Sequence, residues 1–321
     1  MGPVLLTGIY DVIDFTRFVE RYEQLNASLP SSDYTSESLS NELNIRLFDS
    51  KTSADEILIV YHGGGVNSDA GYDILARQLS QALPACVYLV DIRGHGRSTG
   101  HRGDVSSPEQ IWQDVDIVID YARASFANAR IHLLGHSSGG GMLINYFTQH
   151  SSPRGIESLI LLSPAPGPFS PPNLNRNFSV PFASVNRWPF IINALSAGLF
   201  CGHSTGVRLH FPQELIKSRP DFVQCYSVNM ANALTPRNPL KQLKRISVPV
   251  AIMLAEHDEL FDANRMDEFF RSCGNPEVSS RIIEGCSHLD CIFGLTHVVR
   301  EHFTTLKSPV PGTGAAGATS R

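Results

Sequence analysis

Short runs of β-branched and aliphatic residues alternate along this chain with amphipathic stretches, and this alternation restricts the possible folds more than any other feature. The clearest runs are predicted strands at Ile57–Tyr61, Cys86–Asp91, Ile131–Gly135, Leu159–Ser163, Val250–Leu254 and Ser280–Ile283, with an edge strand at Asn44–Phe48. Helices are predicted at Gly71–Leu83, Ile111–Ala124 and Leu260–Cys273, and in the segment after His288. Strands that alternate with helices in this way form a mostly parallel sheet with helices on both faces. The predicted fold class is therefore α/β.

The alternation stops after Leu159–Ser163 and resumes at about residue 246. The interval between is rich in proline and phenylalanine, has no regular strand pattern, and shows helical periodicity only near Pro189–Leu199 and Pro220–Ala233. An insertion of roughly eighty residues is too long for a plain loop. We predict a core formed by residues 1–163 and 246–307, and a cap or lid formed by residues 164–245. The tail, residues 308–321, is predicted to be disordered because its residues are small, polar or glycine.

The pentapeptide G-H-S-S-G at residues 135–139 lies between a predicted strand and a predicted helix. The pattern G-x-S-x-G alone arises by chance in about one chain in ten of this length, so its position carries the argument. A sharp turn from strand to helix exposes a serine oxygen as a nucleophile. Gly135 and Gly139 leave room for the strained backbone of Ser137, and Gly140 and Gly141 are expected to let the helix pack closely on the sheet. Ser137 is the predicted nucleophile.

A second glycine-rich stretch, H-G-G-G at residues 62–65, follows the Ile57–Tyr61 strand. Acyl transfer places negative charge on a carbonyl oxygen, and backbone N–H groups must reach that oxygen unobstructed. One such donor comes from the residue after the nucleophile, and the other comes from a loop after an early strand. We predict that Gly64 and Ser138 form this oxyanion hole, with Gly63 as the alternative to Gly64.

The acid and the base of a triad are expected to follow late strands, in that order along the chain. Asp258 comes just after the Val250–Leu254 strand, with Asp262 and Glu256 as local rivals. His288 follows the last strand, whereas His297 falls inside the next predicted helix, where it is expected to face solvent or to pack. The predicted acid and base are therefore Asp258 and His288.

These residue types suit acyl transfer by a serine. The hydroxyl of Ser137 is too weak an acid to attack unaided, so His288 would remove its proton and later deliver it to the leaving group. Asp258 would fix the imidazole tautomer and stabilise the imidazolium. A cysteine nucleophile is a lesser alternative, because Cys286 stands near His288 but lacks the strand-to-helix turn.

Composition argues against several other classes of protein. The net charge of −5 and the lack of a basic stripe disfavour nucleic-acid binding. The six cysteines are scattered without metal-site or disulfide spacing, and no metal or organic cofactor is implied. No apolar stretch reaches the ~18 residues of a membrane span, and the N-terminus makes a poor signal peptide. We expect a cytoplasmic protein, whose oligomeric state the sequence does not indicate.

Four sequence blocks resemble the monoacylglycerol lipase and lysophospholipase branch of the α/β-hydrolases. They are YHGGG at 61–65, DIRGHGRSTGHRGD at 91–104, GHSSGGG at 135–141, and the pair AEHDELFD with EGCSHLD. The second block is the most specific, and its role is expected to be structural. The resemblance implies catalytic roles for Ser137, Asp258 and His288, and oxyanion roles for Gly64 and Ser138. A further His or Glu is common in the family after the oxyanion glycines, where this chain has Val66, Asn67 and Ser68.

The function expected from these observations is hydrolysis of a carboxylic ester with an apolar acyl or alcohol group, such as a monoacylglycerol or a lysophospholipid. A thioesterase or acyltransferase acting on a carrier-bound or CoA-bound intermediate, in secondary metabolism for example, is the alternative. A non-catalytic binding protein is a remote one. The aromatic residues around Phe169–Trp188 are expected to lie over the site and shape an apolar pocket, or else to pack the cap on the core.

Overall fold

The computed structural model describes residues 13–49, 55–150, 155–176 and 181–307, so the predicted disordered tail lies outside the described residues. The strands, in chain order, are β1 (Thr35–Leu39), β2 (Leu43–Phe48), β3 (Glu56–Tyr61), β4 (Ala85–Val90), β5 (Arg130–His136), β6 (Ile156–Leu162), β7 (Ala183–Val185), β8 (Thr205–Leu209), β9 (Cys225–Ser227), β10 (Val250–Ala255) and β11 (Val278–Ile283). The helices are α1 (Phe15–Ser28), α2 (Tyr72–Ala82), α3 (Pro108–Ser125), α4 (Ser138–Gln149), α5 (Arg187–Leu195), α6 (Gln213–Ser218), α7 (Val228–Leu234), α8 (Pro239–Leu243), α9 (Ala263–Arg271) and α10 (Thr296–Lys307).

Eight strands form one sheet, in the order β1-β2-β4-β3-β5-β6-β10-β11. β2 pairs antiparallel with both β1 and β4, and the other neighbouring pairs are parallel. The strands β3, β4 and β10 are buried along their whole length, as parallel strands are when helices cover both faces. The predicted α/β class, with a mostly parallel sheet between helices, is confirmed.

The register of the parallel strands brings their carboxyl ends together. Tyr61, the last residue of β3, pairs with Val90 of β4 and with Gly135 of β5. In the other half of the same sheet, Ala255 of β10 pairs with Ile283 of β11. The segments that follow β3, β5, β10 and β11 therefore start at one edge of the sheet, where ligands bind in open α/β sheets.

Two apolar clusters fill the two faces of the sheet. One cluster joins the strands to α3, α4 and α9, with Val115, Met142 and Phe270 fully buried. The other joins them to α2 and α10, with Leu75 and Val299 fully buried. Burial of each such side chain contributes about 1.5–3 kcal/mol to folding, so both faces hold the sheet rigid beneath the site.

The N-terminal region differs from the sequence-based prediction in two ways. The predicted edge strand at Asn44–Phe48 is β2, which lies inside the sheet, and the edge is the unpredicted β1. Helix α1 was also not predicted; it begins at the Asp14 side chain, which accepts a hydrogen bond from Arg17 N–H at 2.9 Å. Phe15 is the one buried side chain of α1 within the described residues, and Phe18, Tyr22 and Leu25 of the same helix pack partly buried against the core.

The insertion between β6 and β10 contains strands, which contradicts the prediction that residues 164–245 hold none. Strands β7, β8 and β9 form a separate antiparallel sheet, with Ala183 opposite Leu209 and Val207 opposite Tyr226. They are only three to five residues long. Strands this short are stabilised by their partners, and a local sequence pattern of that length does not identify them.

The second half of the insertion packs into the core. Helix α7 begins at Ser227, whose side chain accepts a hydrogen bond from Met230 N–H at 3.1 Å. A Cβ at Gly141 of α4 would collide with the Leu234 carbonyl oxygen, so this glycine permits a close approach of α7 and not, as predicted, of the sheet. The division into core and cap at residues 164–245 stays a prediction.

Candidate active site

Ser137 stands at the turn from β5 to α4 with backbone angles of φ 52° and ψ −115°. Its N–H donates to the Leu162 carbonyl oxygen at 2.9 Å. A Cβ at Gly135 would lie 2.5 Å from the Gly139 carbonyl oxygen, and a Cβ at Gly139 would lie 2.6 Å from that of His62. Such distances exclude any side chain at either glycine, so the sequence at this turn is dictated by the strained serine between them.

The structure brings Ser137, His288 and Asp258 into one hydrogen-bonded chain. His288 Nε2 lies 3.0 Å from Ser137 Oγ, and His288 Nδ1 lies 2.7 Å from Asp258 Oδ2. The other carboxylate oxygen, Oδ1, accepts hydrogen bonds from Leu260 N–H at 2.8 Å and Phe261 N–H at 3.0 Å. Because all four contacts are satisfied at once, the imidazole is held with Nδ1 protonated and Nε2 free to accept the serine proton.

Burial and charge act in opposite directions on this pair. Burial alone would lower the pKa of His288, but the neighbouring Asp258 carboxylate reverses the effect and the pKa is raised above its ordinary value. Burial would likewise raise the pKa of Asp258, whereas the charge and hydrogen bond of His288 lower it. The arrangement favours an ionised carboxylate beside a histidine that gains a proton readily.

The rival residues from the sequence have other surroundings. Asp262 caps the start of α9 with its side chain, and exposed Glu256 accepts a hydrogen bond from Gly285 N–H at 2.8 Å. Burial raises the pKa of the Cys286 thiol to about 11, which disfavours the thiolate that a cysteine nucleophile needs. His297 is exposed on α10.

Gly64 and Ser138, the predicted oxyanion donors, lie side by side. A Cβ at Gly64 would stand 2.8 Å from Ser138 Oγ. Within the described residues neither backbone N–H has a hydrogen-bond partner, whereas that of Gly63 donates to Tyr72 Oη at 2.8 Å. His62 Nδ1 lies 2.9 Å from the Gly63 carbonyl oxygen. Since C=O and N–H point in opposite directions across a trans peptide, this contact orients the Gly64 N–H away from His62.

Two residues that the sequence analysis missed hold the backbone of His288. Its N–H donates to Glu259 Oε2 at 2.8 Å, and its carbonyl oxygen lies 2.9 Å from His136 Nε2. Both residues are neighbours of predicted site residues, since Glu259 follows Asp258 and His136 precedes Ser137. Adjacency to the motifs was the signal that could have identified them.

The block DIRGHGRSTGHRGD forms the loop after β4. Asp91 accepts hydrogen bonds from the N–H groups of Ser68 and Arg97, each at 2.9 Å. Arg93 makes an ion pair of 2.7 Å with Asp114 of α3, and both side chains are almost fully buried. These contacts are structural, and they fix the loop after β4 against the loop that follows the three glycines.

A mostly apolar cavity of about 260 Å³ lies next to Tyr72 and His136, and Ser137, His288, Gly64 and Ser138 are not among the residues that line it. That volume is close to the lower end of ligand pockets, about 300 Å³. Its other walls come from α1, from the loop after Gly65, from the insertion and from the segment after His288, including Phe15, Phe18, Val66, Leu215, Phe222 and Leu289. Phe169 and Trp188, which were expected to line a pocket or to pack on the core, are 74% and 71% exposed and do neither.

The described ranges lack two kinds of feature. No three His, Cys, Asp or Glu side chains there are grouped so that they could hold a metal ion. No helix of the described chain is both long and apolar enough to cross a membrane.

The sequence and the fold were compared with known proteins. A model of the family described as serine aminopeptidase, S33 matches residues 52–290. The chain belongs to this family. Human monoglyceride lipase is 26% identical over 238 residues, which are 73% of this chain and 75% of the lipase. The chain is thus an ester hydrolase of the monoglyceride lipase-like branch, as its sequence blocks predicted.

Solved structures show the same fold. A soluble variant of monoglyceride lipase from Saccharomyces cerevisiae, in complex with a substrate analogue, aligns with a TM-score of 0.62 at 17% identity, covering 87% of this chain and 96% of that one. The α/β-hydrolase GrgF from Penicillium sp. sh18 aligns with a TM-score of 0.59 at 18% identity, covering 87% and 98%. The S33 chain therefore has the α/β-hydrolase fold.

Proposed function

We propose that this enzyme hydrolyses carboxylic esters that carry an apolar acyl or alcohol group, through an acyl-enzyme formed on Ser137. One observation carries the proposal. Ser137 Oγ stands 3.0 Å from His288 Nε2 at a strained turn, beside two backbone N–H groups without partners in the described structure. A nucleophile, a base and donors for the developing charge are the parts that acyl transfer needs.

The reaction follows from that arrangement. Ser137 Oγ attacks the ester carbonyl carbon while His288 Nε2 takes the serine proton, and the Gly64 and Ser138 N–H groups stabilise the oxyanion. The tetrahedral intermediate collapses as the imidazolium gives its proton to the departing alcohol. Water then attacks the acyl-enzyme with His288 again as base, which releases the carboxylic acid and restores the serine. Asp258 stays ionised throughout and stabilises the imidazolium.

The cavity beside Tyr72 and His136 supports an apolar substrate group. Aromatic and aliphatic side chains form most of its walls, and each buried methylene of a substrate would contribute about 0.8 kcal/mol to binding. Monoacylglycerols and related lipophilic esters fit this description, in keeping with the relatives named monoglyceride lipase.

Covalent labelling tests the proposal. A fluorophosphonate should add once to the protein, and peptide mapping should place it on Ser137, because only an activated serine attacks phosphorus readily. The Ser137→Ala variant should lose both the label and hydrolysis of p-nitrophenyl butyrate. Undiminished labelling of that variant, or labelling at another serine, would overturn the assignment.

A further inference from the structure

The three consecutive glycines after β3 present three backbone N–H groups, and tyrosine hydroxyls hold the outer two. Gly63 N–H donates to Tyr72 Oη at 2.8 Å, and Gly65 N–H donates to Tyr226 Oη at 2.5 Å. Tyr72 belongs to α2 of the core, whereas Tyr226 belongs to β9 of the insertion. The middle N–H, that of Gly64, has no partner among the described residues.

Each tyrosine hydroxyl donates a hydrogen bond to a buried histidine. Tyr226 Oη lies 2.8 Å from His95 Nε2, and His95 Nδ1 lies 3.1 Å from the Arg93 carbonyl oxygen. A carbonyl oxygen can only accept, so Nδ1 carries the hydrogen and Nε2 is the acceptor. The Tyr226 hydroxyl therefore donates to His95 and has a lone pair left for Gly65 N–H.

The core side of the loop has the same construction. Tyr72 Oη lies 2.7 Å from His136 Nδ1, and His136 Nε2 lies 2.9 Å from the His288 carbonyl oxygen. By the same reasoning His136 donates to that carbonyl and accepts from Tyr72. The glycine loop is thus connected by hydrogen bonds to the backbone of the histidine that contacts Ser137.

Protonation does not disturb these chains near neutral pH. Burial lowers the pKa of His95 and of His136 to about 3, so both rings stay neutral and can accept. Burial raises the pKa of Tyr72 and of Tyr226, so both hydroxyls keep their protons. Each hydroxyl can then accept from a glycine amide and donate to a histidine at the same time.

Core contacts hold Tyr226 in place although it lies in the insertion. The Ser227 N–H donates to the Gly103 carbonyl oxygen at 2.9 Å. Gly103 has φ +70°, and a Cβ there would collide with the Cys225 carbonyl oxygen. Strand β9 therefore lies directly on the loop that carries His95.

We propose that Tyr226 is a positioning residue of the oxyanion hole, through which the insertion fixes the glycine loop so that Gly64 N–H points at the substrate oxygen. The inference rests on the proposed function. Tyr226 makes no contact with the reacting atoms in this scheme; it holds the Gly64–Gly65 peptide while Tyr72 holds the His62–Gly63 peptide, and the donor peptide Gly63–Gly64 lies between these two. The Gly65 carbonyl oxygen also accepts a hydrogen bond from Val223 N–H at 2.8 Å, so loss of the tyrosine hydroxyl should loosen the loop without releasing it, and the donor is less well oriented when charge develops.

The test is the Tyr226→Phe variant, measured on a p-nitrophenyl ester and on the matching thionoester. Sulfur is a weak hydrogen-bond acceptor, so a thionoester gains little from the oxyanion hole. Removing a direct donor costs about 10²–10³ in kcat, and we expect an indirect loss of about tenfold on the oxygen ester. KM should change less than kcat, and the thionoester rate should be nearly unchanged, so the oxygen-to-sulfur rate ratio should fall about tenfold.

Tyr146→Phe is the matched control. Tyr146 of α4 is also a buried tyrosine, and its hydroxyl donates one hydrogen bond, to Asp116 Oδ1 at 2.7 Å. The variant loses a buried hydroxyl away from the glycine loop, so its oxygen-to-sulfur ratio should equal that of the wild type. A ratio that falls equally in Tyr146→Phe and Tyr226→Phe would show a general effect on folding and overturn the inference.

His95→Leu provides the second variant, which is needed if Tyr226→Phe does not fold. It removes the acceptor of the Tyr226 hydroxyl and should lower the same ratio, and the double variant should lose no more than Tyr226→Phe alone. An unchanged ratio in the folded variants would overturn the positioning role while fluorophosphonate labelling of Ser137 still proceeds. Loss of labelling in the wild type would instead reject the proposed function itself.

Discussion

Ser137, Asp258 and His288 each follow a strand of the large sheet, whereas Phe222 and Tyr226 stand on the insertion between β6 and β10. The first group is held by short loops from a sheet that is buried on both faces. The second group belongs to the insertion, whose described strands form a separate sheet of three short strands.

The two regions differ in what they offer a substrate. The core segments provide the proposed nucleophile and the histidine–carboxylate pair, which in the proposed reaction act on any ester bond. The insertion provides a hydroxyl that orients a glycine loop and apolar side chains that bound a cavity. Substitutions in the core should therefore change the rate on every ester, whereas substitutions in the insertion should change the preference among esters.

The largest effect is expected for Asp258→Asn. The amide cannot hold His288 with Nδ1 protonated, so kcat should fall about 10⁴-fold on every ester, whatever its chain length. Asp262→Asn is the matched control, because Asn also caps helices well and Asp262 caps α9. Steady-state kinetics on acetate, butyrate and octanoate esters provide the measurement. If Asp262→Asn lost more activity than Asp258→Asn, the assignment of Asp258 as the acid of the triad would be wrong.

The proximity of Ser137, Asp258 and His288 could be predicted from the sequence because every signal for it is local. Each predicted residue follows a run of buried β-branched residues, and the register of a parallel sheet then places all such segments at one edge. Even the missed residues His136 and Glu259 are neighbours of the motifs. Their contacts with the His288 backbone join residues that are 29 and 152 positions apart, so the local pattern does not show those contacts.

The pH dependence of kcat/KM gives an effect of intermediate size. Since the pKa of His288 is raised by Asp258, and only the neutral imidazole can take the serine proton, activity should rise with pH through a midpoint above about 6.5. Below the midpoint the rate should fall tenfold per pH unit.

Two variants show whether a residue of the core or a residue of the insertion sets this midpoint. Asp258→Asn removes the charge that raises the pKa, so its residual activity should have a lower midpoint. Phe222→Ala, in the insertion, should keep the wild-type midpoint. His95 and His136, with pKa values of about 3, do not titrate in this range. A wild-type midpoint well below 6.5, or equal midpoints in wild type and Asp258→Asn, would contradict the assigned pair.

The insertion resisted prediction because its contacts are made across long stretches of chain. Tyr226 is 161 residues from Gly65 and 131 residues from His95, and no motif surrounds it. Composition was only partly informative there, since Phe169 and Trp188 are exposed, whereas Phe182 between them packs against the core, which was the alternative expectation. The aromatic side chains that do bound the cavity include Phe15 and Phe18 of the unpredicted α1.

The smallest effect is expected for the chain-length preference. Phe222 is buried in the cavity wall, with Arg219 over its ring at 4.4 Å. Phe222→Ala should enlarge the cavity, so that short esters lose contact while longer ones gain room. Each additional methylene that becomes buried is worth about 0.8 kcal/mol, which is about fourfold in kcat/KM. The preferred ester should therefore become longer by two or more methylenes, while the rate of Ser137 labelling by a small fluorophosphonate stays within about twofold of the wild type.

Trp188→Ala is the control for that prediction, since it removes an aromatic side chain from the same insertion at a position that is 71% exposed. Its ratio of octanoate to acetate hydrolysis should match the wild type. If both variants lost activity in parallel on every ester, with the ratio unchanged, the cavity would not hold the substrate. The insertion would then contribute only to the glycine loop and to folding. A shift caused by Phe222→Ala alone would instead place the apolar group of the substrate against Phe222 and confirm that selectivity and chemistry reside in different parts of the chain.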